Sequence, residues 1–463
     1  MKQLSKNLLS IVSSDLGRRI FGFLTFAYLA RRLGPSDFGA INVGFTVLSY
    51  ATMAAAGGLS VFGARAVARG DALQLAGPLT GARLINSFAV LALIACILPA
   101  IPNTVTAALI LFFCISLIPN AFNLEWYFQG KEAMGSIGAA RTLSAAAYFI
   151  LAVVLVRTPA DLFLVAVAAV AGDSLAALLL AVTVHRRYPG ERLRPLFAGW
   201  KSLTLRAFPL GAGSLLAHVS VNLPPLVLGI LMTNSDVGIY SAAGKLVTLL
   251  LVVDRVIATV LLPASARSFG RSADILSQML NGSLKWMILI GLPLCTGGSI
   301  LARRIMPLVF GDRYAAAGDV FSVLIWFFLA TLLHTVYTTG LIASGQEKLY
   351  GRFMMISAAV YLCSTVGLTL LFGAIGSAAA VVGSEAVAVI IMARGLRRFV
   401  KLEVPASALK SILAAAAIAV VLFLLGSTGL WLSVVSGAAV YTLVLFATRA
   451  IGRNDIAELL GRV

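Results

Sequence analysis

The chain has 463 residues, of which 60% are apolar and only 12% charged, with a mean hydropathy of +0.98. A soluble protein carries roughly a quarter charged residues, so folding this chain in water would leave too little polar surface to cover it, and lipid must solvate much of it. The net charge of +18 would suggest nucleic acid in a soluble protein, but the charges sit in short tracts between apolar runs, where they set membrane topology and exclude a nucleic-acid partner.

A helix rising ~1.5 Å per residue needs about 20 apolar residues to cross a ~30 Å hydrocarbon core. Stretches that meet this requirement fall, in chain order, near 11–30, 38–62, 82–101, 104–126, 136–156, 161–184 and 207–232. They continue near 238–262, 285–308, 316–343, 350–372, 374–393, 407–427 and 429–448. The expected fold is an all-α polytopic membrane protein with about fourteen transmembrane helices, and no alternation of period two runs through them. The first span is the weakest, because Asp15, Arg18 and Arg19 interrupt it, and the same charges argue against a cleaved leader. Cys96, Cys114, Cys295 and Cys363 all lie in apolar runs without metal-like spacing and read as packing residues.

Charge allocation tests the order of the spans. With the N-terminus in the cytoplasm, 26 of the 36 Lys and Arg residues fall on cytoplasmic ends, 6 on outer ends and 4 within spans. A missing span would scramble that bias, so an even number of spans with N- and C-termini cytoplasmic is expected. Basic tracts at 186–206 and 395–406 separate three blocks: an N-lobe at 1–185, a C-lobe at 207–394, and a last helix pair with a cytoplasmic tail at 407–463. Ser36-Asp37-Phe38-Gly39 opens span two and Ser235-Asp236-Val237-Gly238 opens span eight, each offering a serine N-cap. Gln129-Gly130-Lys131-Glu132 after span four is answered by Gly345-Gln346-Glu347-Lys348 after span ten. The two matches in one order imply duplicated six-helix lobes in a pseudo-twofold arrangement about an axis along the membrane normal.

Ionisable groups inside spans cost ~2.5 kcal/mol or more at the centre and commonly face a cavity or a partner. Asp15 and Arg18 in span one are spaced to pair on one helical face, with Arg18 about 10 Å in from the cytoplasmic end. Span eight carries Lys245 and Arg255, and Asp254 lies on the side of that helix away from Lys245. Spans one and eight belong to different lobes, so together they would line a central cavity of positive charge suited to an anionic cargo such as a diphosphate. Asp173, Glu385, His218 and His334 are lone ionisable groups, each a possible proton or cation site and, more commonly for such groups, a packing residue. Pro224-Pro225 should bend or break span seven, as a gate or as a structural kink. Neither a metal-binding pattern nor a Gly-x-Ser-x-Gly nucleophile occurs, and Gly238–Lys245 fails as a phosphate loop because Leu246 follows the lysine. No cofactor and no enzymatic activity are expected, and any transport must draw on an ion gradient, the membrane potential or the cargo's own gradient.

Arg31-Arg32-Leu33-Gly34-Pro35-Ser36-Asp37-Phe38-Gly39 resembles a signature of the polysaccharide flippases, a branch of the multidrug/oligosaccharidyl-lipid/polysaccharide exporter superfamily. Asp236-Val237-Gly238-Ile239-Tyr240-Ser241-Ala242-Ala243-Gly244-Lys245-Leu246 is similar to the second-half motif of the same family. Glu125-Trp126-Tyr127-Phe128-Gln129-Gly130 and Phe310-Gly311-Asp312-Arg313-Tyr314 resemble further patterns at matching spans. The resemblance covers the whole chain. It implies two lobes opening alternately to each face, and a cargo of polyprenyl-diphosphate-linked oligosaccharide moved from the cytoplasmic to the outer leaflet for O-antigen, capsule or exopolysaccharide assembly. It places Lys245 on a motif lysine, gives Pro224 where many relatives carry an acid, and leaves His218 or Asn222 as substitutes for that acid. The implied setting is a bacterial inner membrane, with membrane lipids and other polysaccharide-assembly proteins as partners. The alternatives are an ion-coupled multidrug exporter of the same superfamily, or a membrane-embedded polysaccharide polymerase or ligase.

Overall fold

A computed structural model describes residues 2–70, 72–188, 194–269, 272–402, 406–426 and 429–450, and the side chains at 2–15 and 212–222 lie outside that description. The described residues form α-helices joined by short turns, with no strand among them. Among the described residues, eleven helices are long and apolar enough to cross a membrane. Large apolar side chains face outward from them, including Phe423, Trp431 and Leu371 at 83%, 77% and 72% exposure, which lipid rather than water can solvate. The chain is a multi-pass membrane protein.

Two compact units divide it at Ser241 and Ala242. The first begins with α1 (Lys2–Leu33), α2 (Pro35–Ala56), α3 (Leu59–Arg69) and α4 (Ala72–Ile97). It continues through α5 (Thr104–Cys114), α6 (Leu117–Ala121), α7 (Glu125–Gly130), α8 (Met134–Leu155), α9 (Leu164–Arg187) and α10 (Trp200–Leu231), and ends within α11 (Asn234–Leu250). Helix α2 packs against α4, α5 and α10, burying Phe38, Ile41, Val43 and Leu48, while α8 lies between α1 and α9. Lipid tails are as apolar as leucine, so close packing rather than water exclusion holds such helices together. Gly44 shows how close: a Cβ there would stand 2.5 Å from the Phe113 ring. A second core collects Trp126, Tyr127 and Phe128 of α7 with Leu59, Leu79 and Ala207.

The second unit holds the rest of α11, then α12 (Val252–Phe269), α13 (Ala273–Phe310), α14 (Ala317–Leu324), α15 (Trp326–Ala343), α16 (Glu347–Leu396), α17 (Ala406–Leu425) and α18 (Leu430–Ala447). Helix α13 touches α12, α14, α15, α17 and α18. Its Leu289 and Leu301 form a core with Ile418 and Leu422 of α17 and Tyr441 of α18, whose hydroxyl donates to the Leu289 carbonyl at 2.8 Å.

Several expectations are corrected. Span two is shorter: α2 stops at Ala56, because Gly57 and Gly58 both have positive φ (49° and 83°), and α3 is a separate helix. Spans eight and ten are each broken once, between α11 and α12 and between α14 and α15, and span four twice, between α5 and α6 and between α6 and α7. The serine caps do not form. Gly34 caps α2 with Pro35 in its first turn. Before α11, Thr233 and Asp236 exchange bonds instead, Thr233 N and Oγ1 donating to Asp236 Oδ2 at 3.1 and 2.6 Å. Nor does Pro224-Pro225 break α10, which stays helical from Trp200 to Leu231. A proline pair removes only two N–H donors from a helix, and α10 is braced by α2, α3 and α4.

Eleven qualifying helices stand against about fourteen expected spans. One of the eleven is α16, 50 residues long, or about 75 Å if straight. It is not straight: Gly373 (φ 56°, ψ −135°) reverses it at the expected junction of spans eleven and twelve. Thr369 and Ser377 share a 2.6 Å hydrogen bond across the reversal, so α16 is a hairpin of two arms. Helices α1 and α10, of 32 residues each, occupy the positions of spans one and seven without being among the eleven.

Candidate functional site

The duplicated motifs meet within the first unit. Gly34 turns the chain from α1 into α2, and Arg32 sits 5.5 Å above the Tyr28 ring. A Cβ on Gly39 would fall 1.7 Å from the Asn234 carbonyl oxygen, and one on Gly238 would fall 1.9 Å from that of Pro35. Each motif glycine is therefore pressed against the backbone that precedes the other motif glycine. Asn234 also donates to Thr106 Oγ1 at 2.8 Å. These residues seat two helix ends rather than hold a ligand.

A buried polar network lies beneath. Arg83 of α4 is 8% exposed and donates to the carbonyls of Asn123 and Asn120, just past and at the end of α6, at 2.6 and 2.7 Å. Asn120 Nδ2 donates to Asp173 at 3.2 Å, and Arg141 holds Glu125 through two bonds. The cavity beside Arg83, Ser87 and Asn120 measures about 10 Å³. That is room for about one water and for no sugar. The charge allocation counts Arg83 among the basic residues at span ends, and these contacts exist only in the folded chain.

The expected cargo cations are spread along the chain. Arg18 is exposed on α1, Lys245 is half-buried on α11, and Arg255 is exposed on α12 beside Asp254. Pro224 is buried and Pro225 half-buried on α10. Asp15, His218 and Asn222 have side chains outside the described residues.

In the second unit, residues that stand alone in the sequence come together. His334 Nδ1 on α15 lies 2.6 Å from Glu385 Oε1 on the second arm of α16, with the two side chains 16% and 19% exposed. One residue along, Thr335 Oγ1 donates to Asp254 Oδ1 of α12 at 2.6 Å. The described residues hold no group of three His, Cys, Asp or Glu able to bind a metal ion.

Eleven helices of spanning length and hydropathy among the described residues define a polytopic membrane protein rather than a membrane-anchored domain. Residues 4–269 match the family described as polysaccharide biosynthesis protein, and the chain belongs to that family. It is 23% identical over 403 residues to a protein of Escherichia coli (strain K12) named as an O-antigen transporter, covering 84% of this chain and 95% of that one. It is 27% identical over 178 residues, 38% of each chain, to a protein of Haloferax volcanii named as a low-salt glycan biosynthesis flippase. Among solved structures, lipid II flippase MurJ in an inward closed conformation superimposes with a TM-score of 0.77 at 13% identity, covering 95% of this chain and 98% of that one. An inward-facing multidrug resistance MATE family transporter gives 0.66 at 16%, covering 84% and 97%. Both likenesses are of fold.

Proposed function

We propose that this protein flips a polyprenyl-diphosphate-linked oligosaccharide from the cytoplasmic to the outer leaflet of a bacterial inner membrane, by alternating access, for O-antigen, capsule or exopolysaccharide assembly. The family match over residues 4–269 carries the reading. The names of the relatives from Escherichia coli and Haloferax volcanii support it, since both denote movement of glycans rather than their synthesis. The MurJ-like fold suits a lipid-linked cargo as well. Likeness to a multidrug exporter is of fold alone and points to no cargo.

The cargo would need cations for its diphosphate, because a dianion taken out of water requires fixed positive charge. Lys245, Arg18 and Arg255 are our candidates, with Lys245 foremost as the residue on the second-half motif. Deletion of the gene followed by lipid extraction tests the function. Intact polyprenyl-linked oligosaccharide should accumulate inside the cell, and normal surface polysaccharide in that strain would refute the reading. Complementation with Lys245→Ala, Arg18→Ala and Arg255→Ala, one at a time, tests the cations. Full surface polysaccharide from all three would remove them from the transport path.

A further inference from the structure

The end of the basic tract at 186–206, expected to link two lobes, is seated on the first unit as a strap. Leu196 N donates to the Gly77 carbonyl of α4 at 3.0 Å. A Cβ on Gly77 would stand 2.6 Å from the Arg194 oxygen, and one on Gly81 would stand 2.1 Å from that of Leu196. Only bare glycine backbone lets the strap lie so close to α4. Helix α10 continues the contact. Its Leu203 and Ala207 are buried in the core that holds Trp126, and a Cβ on Gly58, at the start of α3, would meet the Ala207 oxygen at 2.2 Å.

The other side of the strap suits neither water nor hydrocarbon alone. Leu196, Phe197, Trp200, Leu205 and Phe208 are exposed, and so are Arg194, Lys201 and Arg206. In α10, Lys201, Leu205 and Phe208 share the face turned away from the buried Leu203 and Ala207. No Asp or Glu occurs from 194 to 208, and α9 ends shortly before in exposed Arg186 and Arg187. Water solvates the large apolar side chains poorly, and hydrocarbon excludes the three cations. The headgroup layer takes both, with rings and aliphatic chains at the acyl boundary and cations against phosphate. Helix length points the same way. The 32 residues of α10 rise about 48 Å against a ~30 Å core, and the surplus falls at the end that carries Lys201 and Arg206, its only Lys and Arg. An acidic protein or a nucleic acid would answer the charges but leave Phe197, Leu205 and Phe208 in water.

We propose that residues 194–208 form a membrane-surface anchor selective for anionic phospholipid headgroups, which fixes the first unit at the boundary of one leaflet. Arg194, Lys201 and Arg206 hold headgroup phosphates, Phe197 and Trp200 lie at the membrane–water interface, and Leu205 and Phe208 reach the acyl chains. Because the inner side of the strap is seated on α4 and the start of α3, lipid binding acts on a packed core rather than on a floating loop. The inference stands apart from the flippase reading, since it concerns lipids of the bilayer and not the cargo.

The test uses the full-length protein in liposomes, with phosphatidylglycerol or phosphatidylcholine brominated high on the acyl chain as quenchers of tryptophan fluorescence. The difference between wild type and Trp200→Phe isolates Trp200 from Trp126, Trp286, Trp326 and Trp431. Its fluorescence should be quenched several-fold more by the anionic lipid at equal mole fraction, each nearby cation being worth about fivefold in affinity. Arg194→Gln, Lys201→Gln and Arg206→Gln combined should bring the two lipids level, with the remaining tryptophans quenched as in wild type. Should that variant fail to fold, about 1 M salt, which shortens the screening length to ~3 Å, should level them in the wild-type protein. Equal quenching of Trp200 by the two lipids at low salt overturns the selectivity. A preference that survives both the triple variant and the salt overturns the assignment to these cations. Quenching of Trp200 by aqueous iodide and by neither lipid overturns the anchor. None of these results touches the flippase reading, which fails separately if deletion causes no lipid-linked oligosaccharide to accumulate.

Discussion

Arg83 shows what a charge means once its neighbours are known. Counted along the chain it is one more basic residue near a span end, yet its guanidinium bridges the Asn120 and Asn123 carbonyls at the end of α6. Only a planar fork reaches both, so Arg83→Lys should keep one bond and Arg83→Met neither. Leaving the Asn123 carbonyl without a donor costs about 1–3 kcal/mol, while the Asn120 carbonyl keeps the Asn123 N–H. Thermal unfolding in detergent should therefore rank wild type above Arg83→Lys above Arg83→Met, and equal midpoints would show that water replaces the arginine. Asp161 is the opposite case, half-exposed in the turn between α8 and α9. The N–H groups of Thr158 and Arg157 and the Thr158 hydroxyl hold its carboxyl below the ordinary range. A lowered carboxyl favours the folded turn above the ordinary value of about 3.9 and loses that contribution as pH falls through the lowered one. Hydrogen exchange at the Arg157 and Thr158 amides should therefore quicken only in strong acid, and in Asp161→Asn already at neutral pH. The Arg83 partnership was not legible in the sequence, because a carbonyl acceptor belongs to no residue type. The His334–Glu385 contact was hidden for another reason, since only tertiary packing brings α15 beside the second arm of α16.

Helices were legible where hydropathy changes and illegible where it does not. The reversal at Gly373 fell at the expected junction because the apolar runs on its two sides were counted as separate spans. The breaks at Ile115, Leu251 and Ile325 passed unseen, because apolar residues continue straight through them. The repeated motifs were recognised as helix openings, but their serines do not cap; Gly39 and Gly238 instead let the two helix starts meet. Both glycines are irreplaceable on steric grounds: an added methyl would meet backbone oxygen at 1.7 and 1.9 Å, which no rotamer change relieves. Gly39→Ala and Gly238→Ala should each force α2 and α11 apart, lowering folded yield and surface polysaccharide. Gly351 on α16 supplies the control, since a methyl there meets nothing within 4 Å. Alanine at that position should be neutral or stabilising by about 0.5–1 kcal/mol through better helix propensity. If Gly39→Ala matched Gly351→Ala in yield and export, the two motifs would not be the tight seat that the geometry describes.

For the whole molecule, the strongest constraint is parity. The expected order of spans, with 26 basic residues on one face and 6 on the other, needs an even number of crossings. Eleven helices qualify as spans by length and hydropathy, and eleven crossings would put the termini on opposite faces. Counting the two arms of α16 separately gives twelve, and adding α1 and α10 gives the expected fourteen. Twelve and fourteen share the same parity, so the ends of the chain cannot separate them, whereas the turn after α1 can. If α1 crosses, Gly34 and the start of α2 lie outside; if it lies along the cytoplasmic surface, they lie inside. A single cysteine at Ser36 in a background lacking Cys96, Cys114, Cys295 and Cys363 should react with a membrane-impermeant maleimide in intact cells. Reporters fused at both ends should be active only as cytoplasmic proteins. Labelling at Ser36 only after the cells are opened would leave α1 on the inner surface, and Arg18 would then meet lipid headgroups rather than cargo. A periplasmic reporter at one end alone would make the number of crossings odd and overturn the charge-based order of the spans.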